Sequence, residues 1–144
     1  MKALVADASV CAAWVLRDEL SDQAEKLLND VLRERVALLV PDLWLYEMAN
    51  VLRSAVTRKR ITPAQALEAL ELLDRVPVTL VAARDIPPAA MLATALRHEL
   101  SAYDAAYLTL AELRGALLVT QDADLLALRQ TFTWITAPAD YRTP

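Results

Sequence analysis

Asp7, Glu47, Asp104 and Asp122 each stand where a carboxylate is costly. Asp7 closes the apolar run Ala3-Leu4-Val5-Ala6, and Glu47 interrupts Leu43-Trp44-Leu45-Tyr46 and Met48-Ala49. Asp104 falls between Ala102-Tyr103 and Ala105-Ala106-Tyr107-Leu108, and Asp122 follows Ala116-Leu117-Leu118-Val119-Thr120-Gln121. A carboxylate buried without a partner is strongly unfavourable, so a fold keeps one only where something compensates. Four such residues, spread from end to end of the chain, point to a shared cation. Carboxylates drawn together repel one another, and an all-oxygen donor set suits Mg2+ or Mn2+. A divalent ion held this way makes water more acidic and offsets charge on phosphoryl oxygens, so no covalent nucleophile is required.

Each acid also has a purely structural reading. Asp7 and Asp122 lie where a strand gives way to a helix, and Asp is a favoured N-cap. Ser101 to Asp104 has the shape of a capping box, with Asp in place of the usual Glu. Ser9 could cap the first helix in place of Asp7.

Glu47 has the weakest structural reading. Between Leu43 and Leu52 the only polar residues are Glu47 and Asn50, which share a helix face. Ser54 and Arg58 continue that stripe to within about 20° of Glu47. This predicts a polar groove, with a carboxylate near the start of the helix and the Arg58 guanidinium three turns on, placed for a flanking phosphate.

The elements that must position these residues alternate between short β-type runs and longer helical ones. That alternation predicts an α/β domain with a parallel sheet covered on both faces. Strands are expected at 3–6, 36–40, 78–82, 116–120 and 132–136. Helices are expected at 9–17, 21–35, from a cap at Asp42 to about residue 60, from the Thr62-Pro63 start to 75, 88–98, 101–115 and 122–130. Gly115 is the only glycine and a natural residue to follow a helix end. In open parallel sheets the ligand crevice lies at the carboxyl ends of the strands. All four acids can reach that edge.

With 144 residues, 56% hydrophobic and 24% charged, the chain is expected to fold as one domain, 1–144. No apolar stretch approaches the roughly 20 residues of a membrane helix, and the early Asp7 is unlike a signal peptide. Cys11 is the only cysteine, which excludes an internal disulfide and a CxxC metal site, so a reducing cytoplasm fits. Net charge −4 argues mildly against a phosphate-binding surface, but a metal would neutralise part of the acidic excess.

The blocks Ala6-Asp7-Ala8-Ser9-Val10, Tyr46 to Leu52, Leu100 to Tyr107 and Leu118 to Leu125 together resemble the conserved blocks of PIN-domain ribonucleases, and among them the VapC-type toxins of prokaryotic toxin–antitoxin pairs. The resemblance spans nearly the whole chain, in the family's order. It implies a five-stranded parallel sheet of order 3-2-1-4-5 and Mg2+- or Mn2+-dependent endoribonuclease activity. The implied acidic cluster is Asp7, Glu47, Asp104 and Asp122, with Ser9, Asn50 and Asp124 as accessory positions. A homodimer and a cognate antitoxin protein are implied partners.

Other readings fare worse. A haloacid-dehalogenase-like phosphatase needs a second Asp where Ser9 stands, and a lysine where none follows Lys59. A receiver domain would offer Asp85 without its lysine, and a Ser–His hydrolase would rest on His98 without a GxSxG elbow. A single glycine excludes GxGxxG and P-loop cradles. The alternative that competes is a catalytically inactive PIN-like module that binds RNA or protein, although such a module has no reason to retain four repelling carboxylates.

Overall fold

A computed structural model describes all residues, 1–144. Five strands form one parallel sheet: β1 (Lys2–Ala6), β2 (Val36–Pro41), β3 (Val78–Val81), β4 (Leu117–Val119) and β5 (Ile135–Thr136), in the order β3-β2-β1-β4-β5. Seven helices surround it: α1 (Ala8–Cys11), α2 (Asp22–Leu32), α3 (Leu43–Thr57), α4 (Pro63–Leu73), α5 (Pro88–His98), α6 (Ala102–Arg114) and α7 (Ala123–Leu126). The strand order expected from the resemblance is the one observed.

Strand β1 is central because its apolar residues are covered on both faces: Leu4, Val5 and Ala6 are fully buried. Its register sets Val5 against Leu39 on one side and Leu118 on the other. A single core cluster gathers Leu4, Leu38, Leu118 and Ile135 of the sheet with Leu27, Met48, Tyr107 and Leu125 of the helices. The order change between β1 and β4 brings their carboxyl ends side by side, and Asp7 N–H donates to Val119 O across that junction (3.3 Å).

Helix boundaries follow local chemistry. Ser21, Thr62 and Ser101 cap α2, α4 and α6 through their hydroxyls, and Thr62 with Gln65 completes a full capping box. Gly115 ends α6 at φ +57°. The other helix ends that need a left-handed residue have Glu34, Lys59 and Glu99 there instead, each at some conformational cost.

Several expected boundaries shift. The helix expected over 9–17 is only α1, followed by a tighter turn at Ala12–Trp14. Helix α3 stops at Thr57, because Lys59 adopts positive φ. Asp42 precedes α3 without capping it; its Oδ2 accepts from Ala83 N–H instead (3.3 Å), tying β2 to the segment after β3. The helix expected over 122–130 is the four-residue α7, and the last strand has two paired residues because only Ile135 and Thr136 reach β4.

Candidate active site

The site is built at the junction of β1 and β4. Asp7 follows β1 directly and is the N-cap of α1, its Oδ1 accepting from Val10 N–H at 3.3 Å. Ser9 therefore does not cap this helix. It lies inside the first turn, where its Oγ donates to Asp7 Oδ1 (2.5 Å) and accepts from Gln121 N–H (3.3 Å). Thr120, buried at the end of β4, donates its hydroxyl to the other oxygen, Asp7 Oδ2. The same Thr120 oxygen accepts from Asp122 N–H at 2.9 Å. Asp7 is 6% exposed, and burial pushes its carboxyl above the ordinary range while the hydroxyls of Ser9 and Thr120 pull it back; the charge of Asp122 pushes it up further.

Asp122 is a cap in full: its Oδ1 accepts from Asp124 N–H (2.9 Å) and Leu125 N–H (3.1 Å). Asp104 sits in the first turn of α6, where Ser101 makes its half of a capping box by accepting from Asp104 N–H (3.1 Å). No return bond runs from Ser101 N–H to the Asp104 carboxylate, so the box is half formed. Burial raises the Asp104 pKa, and the charges of Asp122 and Asp7 add to that, against the Ser101 hydroxyl. Glu47 is half-buried on α3 and accepts from the Tyr107 hydroxyl at 2.7 Å. Burial raises its pKa too, Tyr107 opposes, and the charges of Asp7 and Asp104 add. The four acids thus feel one another.

Carboxylate oxygens of Asp104, Asp122 and Asp124 all lie within 4.8 Å of one another. Asp124, an accessory expectation, is thereby part of the tightest group, while Asp7 and Glu47 flank it. No lysine or arginine neutralises any of these acids: the three ion pairs of the molecule join Arg35 to Asp30 and Arg60 to Asp18 and Glu19. An uncompensated all-oxygen set of this kind fits a hard divalent cation.

The PIN domain family model matches residues 4–130. The chain belongs to the PIN-domain family. Ribonuclease VapC3 of Pyrobaculum aerophilum is 36% identical over 125 residues, which cover 85% of this chain and 91% of that protein. The crystal structure of PAE2754 from the same organism superposes with a TM-score of 0.62 at 31% identity, over 88% of this chain and 78% of that one. A toxin–antitoxin complex from Klebsiella pneumoniae matches with a TM-score of 0.60, over 94% of this chain and 97% of that one; at 16% identity it speaks to the fold alone.

Not every expected PIN site residue comes to the acids. Asn50 is exposed, its Oδ1 accepting from Arg53 Nε (3.0 Å). Arg58 is exposed at the far end of α3. The stripe through Glu47 is therefore mixed: Glu47 and Ser54 are half-buried, whereas Asn50 and Arg58 are exposed, as are Leu45 at 48% and Tyr46 at 81%. Periodicity grouped the four residues but could not tell which of them neighbouring elements cover. Sequence reasoning passed over two residues that touch the acids, Thr120 and Tyr107. The available signals were a hydroxyl ending an otherwise apolar strand beside Asp7, and a tyrosine one turn after Asp104.

Proposed function

We propose that this PIN-domain chain is a divalent-metal-dependent endoribonuclease, the toxin of a prokaryotic toxin–antitoxin pair. The observation that carries the reading is the convergence of Asp7, Glu47, Asp104 and Asp122 on one sheet edge with no basic partner. The 36% identity to a ribonuclease VapC supports the reaction class. In this reading Asp7, Glu47, Asp104 and Asp122 hold Mg2+ or Mn2+, with Asp124 in support beside Asp104 and Asp122. Bound there, the ion supplies a lowered pKa for water and offsets phosphoryl charge. The protein's own part is orientation. Ser9 and Thr120 fix both Asp7 oxygens, and the cap bonds at Asp122 fix its Oδ1. Arg58 is assigned to a flanking phosphate, at a distance that lets it position RNA without touching the reacting atoms.

Residues 1–144 act as one unit, since the stretch beyond the family match supplies β5 and the buried Tyr141. A homodimer accords with the exposed Tyr46, Leu92, Leu96 and Tyr103, and a cognate antitoxin with the family. No helix is long and apolar enough to cross a membrane, and a cytoplasmic place is proposed on the toxin reading. Incubation of purified protein with labelled RNA in Mg2+, in Mn2+ and in EDTA tests the proposal. Cleavage with either ion, lost in EDTA and in Asp122→Asn, is expected. RNA binding without cleavage in all three would establish the inactive-module alternative.

A further inference from the structure

We infer that Tyr107 is a positioning residue for the acidic site, holding Glu47 in place through its buried hydroxyl; the inference rests on the metal-site reading above. Tyr107 belongs to the core cluster, is 1% exposed, and lies on α6 one turn beyond Asp104. From Ala105 to Ala111 every residue of α6 is buried. A tyrosine is tolerated in such surroundings only where its hydroxyl finds a partner. Here the partner is Glu47 Oε1, at 2.7 Å, sixty residues away in sequence.

The bond has a consequence for Glu47. It is the one hydrogen bond to this carboxylate, whereas Asp7 has three and Asp122 is capped. A half-buried glutamate in the second turn of a helix has several rotamers open to it, and repulsion from Asp7 and Asp104 favours those that turn away. Tyr107 opposes that escape by engaging one oxygen and leaving the other available. The phenol can serve this way at any physiological pH, because burial and the adjacent Glu47 charge push its pKa far upward and keep it a donor. Packing alone does not explain the residue, since phenylalanine would fill the same space. Residues that orient metal-binding carboxylates typically alter metal affinity 10- to 100-fold when lost.

Mn2+ affinity measured by titration calorimetry on the full chain tests the inference, with wild type, Tyr107→Phe, Glu47→Gln and the double variant compared. Tyr107→Phe is expected to weaken Mn2+ binding about tenfold, Glu47→Gln at least as much, and the double variant no more than Glu47→Gln alone. Tyr107→Phe binding Mn2+ like wild type, while Glu47→Gln does not, overturns the role of Tyr107 and leaves the metal site standing. A wild-type chain that binds no Mn2+ overturns both. A second measurement avoids altering the core. In fluorotyrosine-labelled protein the Tyr107 resonance is expected to shift on Mg2+ saturation, and to lose that shift in Glu47→Gln. A resonance unmoved by Mg2+ in a chain that binds the ion overturns the assignment.

Discussion

Thr120 stands between two acids of the site: its hydroxyl donates to Asp7 Oδ2 and its oxygen accepts from Asp122 N–H at 2.9 Å. One buried side chain thereby sets the relative position of the carboxylate that ends β1 and the one that follows β4. Thr120→Val keeps the shape and removes both bonds. It leaves a buried carboxylate oxygen and a backbone N–H without partners, at about 2 kcal/mol, which is roughly 4–8 °C in melting temperature for a chain of this size. Mn2+ affinity should fall at least tenfold. Thr120→Ser should restore both quantities. Calorimetry on the three proteins decides, and a valine variant with unchanged Mn2+ affinity would remove Thr120 from the site.

Asp122→Asn separates capping from metal binding. Asparagine keeps the Oδ1 acceptor for Asp124 N–H and Leu125 N–H and is about as good an N-cap as aspartate. The apo protein should melt no lower, and higher if relief from Asp104 and Asp7 is felt. RNA cleavage should be abolished. Asp7→Asn is a less clean probe, because its amide would face the Thr120 hydroxyl that now donates to Asp7 Oδ2. Retained cleavage with a clearly lower melting temperature for Asp122→Asn would make Asp122 a cap and nothing more.

The acids were legible in the sequence because burial makes a charge conspicuous: Asp7, Glu47, Asp104 and Asp122 each interrupt an apolar run, and all four lie at the expected sheet edge. Strand positions were equally legible, since β1 and β2 are continuous apolar stretches. What sequence could not supply was side-chain direction. Asp42 reads as a cap and holds Ala83 after β3 instead, Ser9 reads as a cap and serves Asp7, and Asn50 shares a stripe with Glu47 yet faces Arg53. The signals at Tyr107 and Thr120 are weak, since an aromatic one turn after Asp104 and a hydroxyl ending an apolar strand are also ordinary core composition. Helix ends were missed where Lys59 and Glu34 take the left-handed conformation that glycine would have advertised.

Divalent cations should stabilise the fold, since the apo site keeps mutually repelling carboxylates together. Mg2+ at 100 times its dissociation constant should add about 2.7 kcal/mol, seen as a rise in melting temperature over EDTA. Asp104→Asn and Asp122→Asn should each blunt that rise. A shift of equal size in these variants would place the stabilising ion elsewhere.

Asp30 clasps the chain end, away from the acids. It is 1% exposed, and it accepts from Arg35 Nη1 (3.0 Å), the Tyr141 hydroxyl (2.9 Å) and the Thr143 hydroxyl (2.7 Å), so it ties the segment after β5 to α2. Burial alone would raise its pKa, but the bonds from Thr143, Tyr141 and Arg35 outweigh burial and hold it below the ordinary range. A depressed carboxylate contributes stability that is full above its unfolded pKa of about 4 and is lost as pH falls through the folded value. Asp30→Asn should therefore cost roughly 1–2 kcal/mol at neutral pH, with the gap to wild type closing only below about pH 4. Denaturant melts across pH check this; a gap that is constant with pH would mean that the carboxylate charge contributes nothing.

Arg58 and Lys59 are the basic residues of the α3 end left for RNA once Arg53 and Arg60 are accounted for, and of the two only Arg58 continues the Glu47 stripe. Arg60 pairs with Asp18 (2.6 Å) and Glu19 (2.9 Å), and Arg53 donates to Asn50. Eleven residues of helix at 1.5 Å rise place Arg58 about 16 Å along from Glu47, a span suited to a phosphate several nucleotides from the cut. Arg58→Ala should weaken binding of single-stranded RNA and reduce the salt slope by roughly 0.7, with Mn2+ affinity unchanged. Arg60→Ala should leave the slope nearly as it was, because its guanidinium is already neutralised by two acids. Binding isotherms at several salt concentrations, on the Asp122→Asn background so that RNA stays intact, distinguish the two. Equal slopes for wild type and Arg58→Ala would place the RNA path off the end of α3.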